Sequence, residues 1–285
     1  MGDTAAHQQQ VSVSALADGG VLAGPVVVGR ALVQMGCVPF SPSGHRAKGD
    51  GTMPSQPTPA HAAPAEDDAG YRPDPGRETR LTIDSFLEAL AAAEPGDPEL
   101  EARVRRRHRD LVSARQGQQA RLADEQSWMH LKMALVLLAA YQELQGRYRD
   151  EVLLPRLREA FVEPLRPYVA QATSSSLEGA ADPFSAMVAI SRERERTFFG
   201  QSFVFDHPAD DGTRYIAEVR RCFYHDVLAA AGAAHLTPVL CAFDATWIEV
   251  IDPSRHGFTF ERPATIGTGG AACPFTFKRN AGTKS

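Results

Sequence analysis

Neither sign of charge is in excess: 30 basic and 35 acidic residues leave a formal net charge of −5. That balance gives no reason to expect a nucleic-acid partner. The densest basic run, Arg103 to Arg109, lacks interleaved aromatics and reads as a solvated helix face. Long apolar runs are missing too. A membrane span needs roughly 18 uninterrupted apolar residues, and the nearest stretch, Val21 to Phe40, is broken by Pro25 and Arg30. No Lys or Arg precedes it, so the charged start of a secretory signal is absent. Ala6 stands where a myristoylated Gly2 wants Ser or Thr. Cysteine is scarce, four in 285 residues, at wide and irregular spacing that fits no disulfide framework. Free thiols and a cytoplasmic location are the expectation.

Large apolar residues are also sparse at the start of the chain. Residues 1–75 are rich in Gly, Pro, Ala, Ser and Gln, and Gly44 to Pro75 is especially proline-rich. Such a segment buries too little surface to offset its chain entropy and reads as a disordered leader. Residues 76–285 read as one domain, with a helical part over 80–196 and a sheet-containing part over 197–280. Helical signals begin near Leu81, break at Pro95-Gly96, and resume after Asp97-Pro98, a good cap and first-turn pair. Trp128 to Leu144 carries Leu131, Leu135, Leu138 and Tyr141 at helical period, thickened by Val136 and Leu137, so it reads as a central buried helix. The same stripe would equally serve a homodimer. Asp150 to Phe161 forms another helix around Pro155. Thr173 to Ala181 reads as a small-residue linker, and Asp182-Pro183 opens a helix to about Arg196.

Strand character follows. Phe199, Gln201, Phe203 and Phe205 alternate, His207 to Thr213 reads as a turn, and Tyr215 to Val219 reads as a second strand. Arg221 to Ala230 is helical, stopped by Gly232. Thr237-Pro238 opens a helix through Ile251, and Phe258 to Arg262 and Pro274 to Phe277 are strands flanking a glycine-rich turn. The fold class is α+β: an N-terminal helical layer packed on a C-terminal antiparallel sheet with helices.

Most of the potential chemistry lies in this last part. Cys222 and His225 are three apart on one helix, and Cys241 and Asp244 repeat the spacing on the next, so each pair shares a face. Cys273 opens the last strand. A thiol near a helix start is expected to have its pKa lowered by the free N–H groups, which favours Cys222 and Cys241 as nucleophiles. Each residue also has an ordinary explanation. A lone cysteine is more often a small buried hydrophobe, His225 can be a satisfied helix-face residue, Asp244 can pair with Arg262, and Trp247 can be core. Zinc ribbons and fingers use close CxxC pairs, and none is present.

Four linked strings break the tie. The segment R-C-F-Y-H-D at Arg221–Asp226, then L-T-P-V-L-C-A-F-D at Leu236–Asp244, then F-T-F-E-R-P-A-T, then G-G-A-A-C-P-F-T-F together resemble the L-2-amino-thiazoline-4-carboxylic acid hydrolase family. The detailed similarity covers Phe199 to Lys278. It implies a hydrolase that acts on non-peptide C–N bonds in cyclic amidines, adding water to a thiazoline ring to give a carbamoyl-cysteine. Ala271 and Ala272 depart from the family pattern, where a polar or acidic residue often precedes the cysteine, which leaves the substrate open.

That chemistry requires a nucleophile, a proton donor and a carboxylate holder. Cys222 or Cys241 is the candidate thiolate, His225 its acid–base partner, Asp244 the group that faces the amidinium or orients the imidazole, and Arg262 the fork for the carboxylate. Tyr224 and Trp247 are candidate substrate contacts, and Cys273 is a further member of the cluster. This version needs no cofactor. In a second version zinc, held by Cys222, Cys241 and Cys273, activates the water. A third alternative is a sensor that binds a small molecule in the same place without turnover.

Overall fold

The computed structural model describes residues 74–119 and 121–282. Nearly all of the expected leader lies outside them. Helix α1 (Pro75–Ala93) starts earlier than the sequence signal near Leu81, because Asp74 accepts a hydrogen bond from the Arg77 N–H at 2.9 Å and Pro75 presets the first turn. Its inward face is Thr79, Thr82, Phe86, Leu87 and Leu90. Helices α2 (Leu100–Ser113) and the single turn α3 (Gln116–Gln119) follow. Helix α4 (Glu125–Leu144) is capped by Asp124, which accepts from the Ser127 N–H at 2.8 Å. It is buried nearly all round, from Leu131 through Ala134, Leu135, Val136, Leu137 and Leu138 to Leu144. Helices α1, α2, α5 (Asp150–Val162) and α8 (Phe223–Ala230) pack against it, so its apolar stripe is spent on the chain's own core.

The expected linker over 173–181 is mostly helix. Helix α6 runs over Arg166–Glu178, with Pro167 in its first turn. Its serines bond within the helix, Ser174 to Glu178 and Ser176 to the Ala172 carbonyl, and buried Leu177 anchors the far end. Small residues read as a break only when no buried residue is seen among them. Helix α7 (Pro183–Arg194) opens on Asp182 as expected and then widens into a π-turn over Glu195–Phe199.

That π-turn replaces the first half of the expected strand at 199–205. Phe198, Phe199 and Phe203 converge on the imidazole of His130 rather than lying on a pleat. Strand β1 (Val204–Asp210) therefore starts late. It also runs further than expected, through Pro208, which is tolerated because β1 is an edge strand with a register shift between Asp206 and Ala209. The turn itself is Asp211–Thr213, with Gly212 at φ +78°. Strand β2 (Arg214–Arg221) leads into α8, which ends at Gly232 as expected. The expected helix over 237–251 is three short pieces: α9 (Thr237–Cys241), a tighter turn over Ala242–Asp244, and α10 (Ala245–Ile248). Helix α11 (Pro253–His256), β3 (Phe258–Glu261) and β4 (Cys273–Arg279) complete the described chain.

The four strands form one antiparallel sheet in the order β1-β2-β4-β3, with Val219 opposite Cys273. The architecture is α+β. Tyr215 and Ala217 of β2 and Phe277 of β4 pack with Leu177, Phe184, Met187 and Val188 of α6 and α7 in a core separate from the one around α4. Among the described residues no helix is long and apolar enough to cross a membrane.

One junction ties the two halves. Gly200 has φ +70°, and a Cβ there would lie 2.5 Å from the Asp124 carboxylate, which accepts the Gln201 N–H at 2.6 Å. Gly200→Ala is expected to lose about 1–3 kcal/mol through strained backbone and clash. Urea denaturation checks this, and an unchanged midpoint would refute it.

Candidate active site

Cys222 leaves β2 in extended conformation and occupies the cap position of α8, where its side chain makes no capping hydrogen bond and its carbonyl accepts the Asp226 N–H at 3.1 Å. This is the helix-start placement the sequence suggests, but the expected electrostatic result is reversed. Burial pushes the Cys222 thiol up to about 12, outweighing the lowering influence of the His225 and Tyr224 backbone N–H groups, and Cys241 and Cys273 add to the rise. Cys241 departs from expectation in position as well: it closes the five-residue α9 instead of starting a long helix. Its thiol is also raised, by burial first and then by the Asp244 charge, while the Thr265 hydroxyl works in the opposite direction. Cys273 is buried, accepts the Ile266 N–H at 3.1 Å, and is raised by burial. All three are free thiols, held in the protonated form at rest.

His225 lies on the turn that Cys222 caps, with Nδ1 3.1 Å from Oγ1 of the fully buried Thr237. Asp244 is braced from two sides. Arg262 donates to it through Nη1, and Trp247 Nε1–H donates to Oδ1 at 3.2 Å. Arg262 also donates to the Cys241 carbonyl at 3.2 Å and lies over the Phe275 ring at 5.2 Å. Trp247 stacks on Phe275 and Phe277. Burial raises the Asp244 carboxyl, and Arg262 pulls it back toward the charged form. The structure therefore brings together Cys222, His225, Cys241, Asp244, Arg262 and Cys273, and makes Trp247 both a core residue and a brace. It turns the Tyr224 hydroxyl to His130 Nδ1, 2.6 Å away.

Sequence reasoning missed Thr237, Thr265, Gly267 and His130. Only His130 left a signal, as a histidine inside an otherwise apolar helical stripe. Gly267 matters by what it lacks: a Cβ there would stand 3.0 Å from Cys241 Sγ and 3.2 Å from the Pro238 nitrogen. Gly267→Ala is expected to lift this turn from α9, at a cost of about 1–2 kcal/mol, and to speed alkylation of Cys241. Mass-spectrometric mapping of iodoacetamide adducts checks it, and an unchanged Cys241 rate would refute it.

The donor set does not suit zinc. Among the described residues no group of three or more His, Cys, Asp or Glu side chains is placed to hold a metal ion. An open cavity of about 450 Å³ is lined by Arg192, Glu195, Arg196, Phe205, His207 and Asp210, none of them in the thiol cluster. Arg192 pairs with Asp210 there, and Glu195 Oε2 lies 2.8 Å from His207 Nε2. The candidate site thus rests on its chemistry rather than on concavity.

A helical layer with an antiparallel sheet defines an α+β protein, one that carries thiols, an imidazole and a braced ion pair in its C-terminal part. Residues 129–277, more than half of the 285-residue chain, match the model of the L-2-amino-thiazoline-4-carboxylic acid hydrolase family, and the chain belongs to that family. The match spans Cys222, His225, Cys241, Asp244, Arg262 and Cys273. No curated protein and no solved structure matches the chain.

Proposed function

We propose that this protein is a hydrolase that opens the ring of a small cyclic amidine bearing a carboxylate, of the 2-amino-thiazoline-4-carboxylate type. The observation that supports it most is the placement of Cys222 and His225 on one helical turn, the thiol at the start of α8 and the imidazole 3.1 Å through Nδ1 from the Thr237 hydroxyl. Cys222 is the nucleophile and His225 takes its proton as the sulfur attacks the amidine carbon. The ring bond from that carbon to the departing atom then breaks, and the imidazolium returns the proton to that atom. Water adds to the same carbon, His225 again accepting a proton, and the Cys222 sulfur leaves, taking that proton back from the imidazolium, as the ring-opened product forms. The net change is uptake of one water.

The Asp244–Arg262 pair complements the two charges of such a substrate, carboxylate toward amidinium and guanidinium toward ring carboxylate. No step is assigned to Cys241 or Cys273. Free thiols of this kind belong in the cytoplasm, where we place the protein. The test is turnover of 2-amino-thiazoline-4-carboxylate and a panel of cyclic amidines and lactams, read by mass spectrometry as the gain of one water. Ring opening is the expected result. A compound that binds by calorimetry and is recovered unchanged would replace the hydrolase with a small-molecule sensor.

A further inference from the structure

Behind the thiols sits a histidine that the reaction above does not use. His130 has no solvent exposure. It is boxed by Phe198, Phe199, Phe203 and Tyr224, the nearest ring centroid 4.8 Å away. Both ring nitrogens are committed. Nε2 lies 2.8 Å from the Phe198 carbonyl oxygen, which can only accept, so Nε2 carries a proton. Burial pulls the imidazole down to about 4, which leaves it neutral at pH 7 with Nδ1 as an acceptor. The Tyr224 hydroxyl therefore donates to Nδ1 across 2.6 Å. Three elements meet at this ring: α4 supplies it, the π-turn supplies the acceptor, and α8 supplies the donor.

The α8 donor is the residue between Cys222-Phe223 and His225, in the turn whose first backbone hydrogen bond, from the Asp226 N–H to the Cys222 carbonyl at 3.1 Å, closes on Cys222. An apolar residue at position 130 would fill the α4 stripe as Leu131 and Leu135 do, but would bind neither the π-turn nor α8. A buried polar group is costly unless satisfied, and a fully satisfied network selects one arrangement of the elements that carry it.

We propose that His130 is a positioning residue for the thiol site: through Tyr224 it fixes the first turn of α8, and so the seating of Cys222. This rests on Cys222 being the nucleophile, but its test does not require turnover. The charged groups that bear on the ring are Arg194 and Asp124. The titratable groups that bear on the thiol include Cys241 and Cys273, with the Tyr224 phenol beside it.

The experiment is iodoacetamide labelling of the full chain, with each cysteine followed separately by mass spectrometry from about pH 6 to about pH 10, a range that brackets ordinary thiol ionisation. Tyr224→Phe removes one oxygen and keeps the ring. A loosened turn admits water to a thiol held neutral mainly by burial. Cys222 labelling is therefore expected to rise about tenfold, with its pH profile moved about one unit toward neutral. Cys241 and Cys273 should change by less than about twofold, as groups outside that turn. His130→Ala should reproduce the effect, and His130→Gln, which can both donate and accept, should reverse most of it. If His130→Ala does not fold, Tyr224→Phe alone decides. An unchanged Cys222 rate and profile in folded Tyr224→Phe, or equal acceleration of all three thiols, would overturn the proposal. If the wild type labels as expected but turns over no substrate, the hydrolase reading falls and this positioning role stands.

Discussion

Cys222→Ser is expected to lower turnover by at least about 10³-fold while leaving the fold intact, because a neutral serine hydroxyl cannot replace the sulfur as attacking and leaving group. Cys241→Ser and Cys273→Ser should each lose less than about tenfold, since neither shares a turn with the imidazole. The contrast among the three is the content of the prediction. A Cys222→Ser variant with wild-type unfolding behaviour and substantial turnover would remove this thiol from the mechanism. The raised thiol adds a stability signature. The folded chain keeps the Cys222 proton above the pH at which the unfolded chain releases it, so this group's contribution is full below the ordinary thiol range. It is lost as pH climbs from about 9 toward the folded value of about 12. Urea titrations of the wild type should therefore show a steeper alkaline loss of stability than those of Cys222→Ser, and parallel curves would contradict the burial of this thiol.

The sequence carried the helical layer and the sheet because their signals are local. Asp182-Pro183 announces α7, and the crowded stripe from Leu131 to Leu144 announces a helix buried on every side. The cluster of Cys222, His225, Cys241, Asp244, Arg262 and Cys273 was legible only through the family strings, since each residue alone had an ordinary packing explanation. Features that depend on distant partners stayed hidden. Phe199, Phe203 and Phe205 alternate as a strand would, yet two of them belong to a cage around a histidine some 70 positions earlier. Pro208 and a bulge disguised the rest of β1 as a turn. The sign of the thiol shifts was misjudged for a related reason. Helix-start N–H groups are visible in sequence, whereas the burial that outweighs them is a property of the assembled core.

Arg262→Ala is expected to lose about 2–4 kcal/mol, between the cost of breaking a buried pair and that of an exposed one, because the two side chains retain 16% and 28% exposure. Three contacts go at once: the Asp244 carboxylate, the Cys241 carbonyl and the Phe275 face. Asp244 is then left with the Trp247 N–H and the Arg194 charge to oppose its burial, and its carboxyl rises further. A raised carboxyl makes the folded state bind its proton more tightly than the unfolded state does. The penalty of the substitution should therefore shrink as the pH falls through the carboxylate range, because a neutral Asp244 no longer needs the guanidinium. Urea titrations of wild type and Arg262→Ala at about pH 8 and about pH 5 measure this directly. Asp244→Asn should abolish the pH dependence, and the double substitution Asp244→Asn with Arg262→Ala should cost less than the sum of the two singles. A penalty below about 0.5 kcal/mol, or one equal at both pH values, would show that the pair behaves as an ordinary surface contact. In that event Asp244 and Arg262 would be free to separate around a zwitterionic substrate at little cost, and the bracing assigned here to Trp247 and Phe275 would have no energetic role.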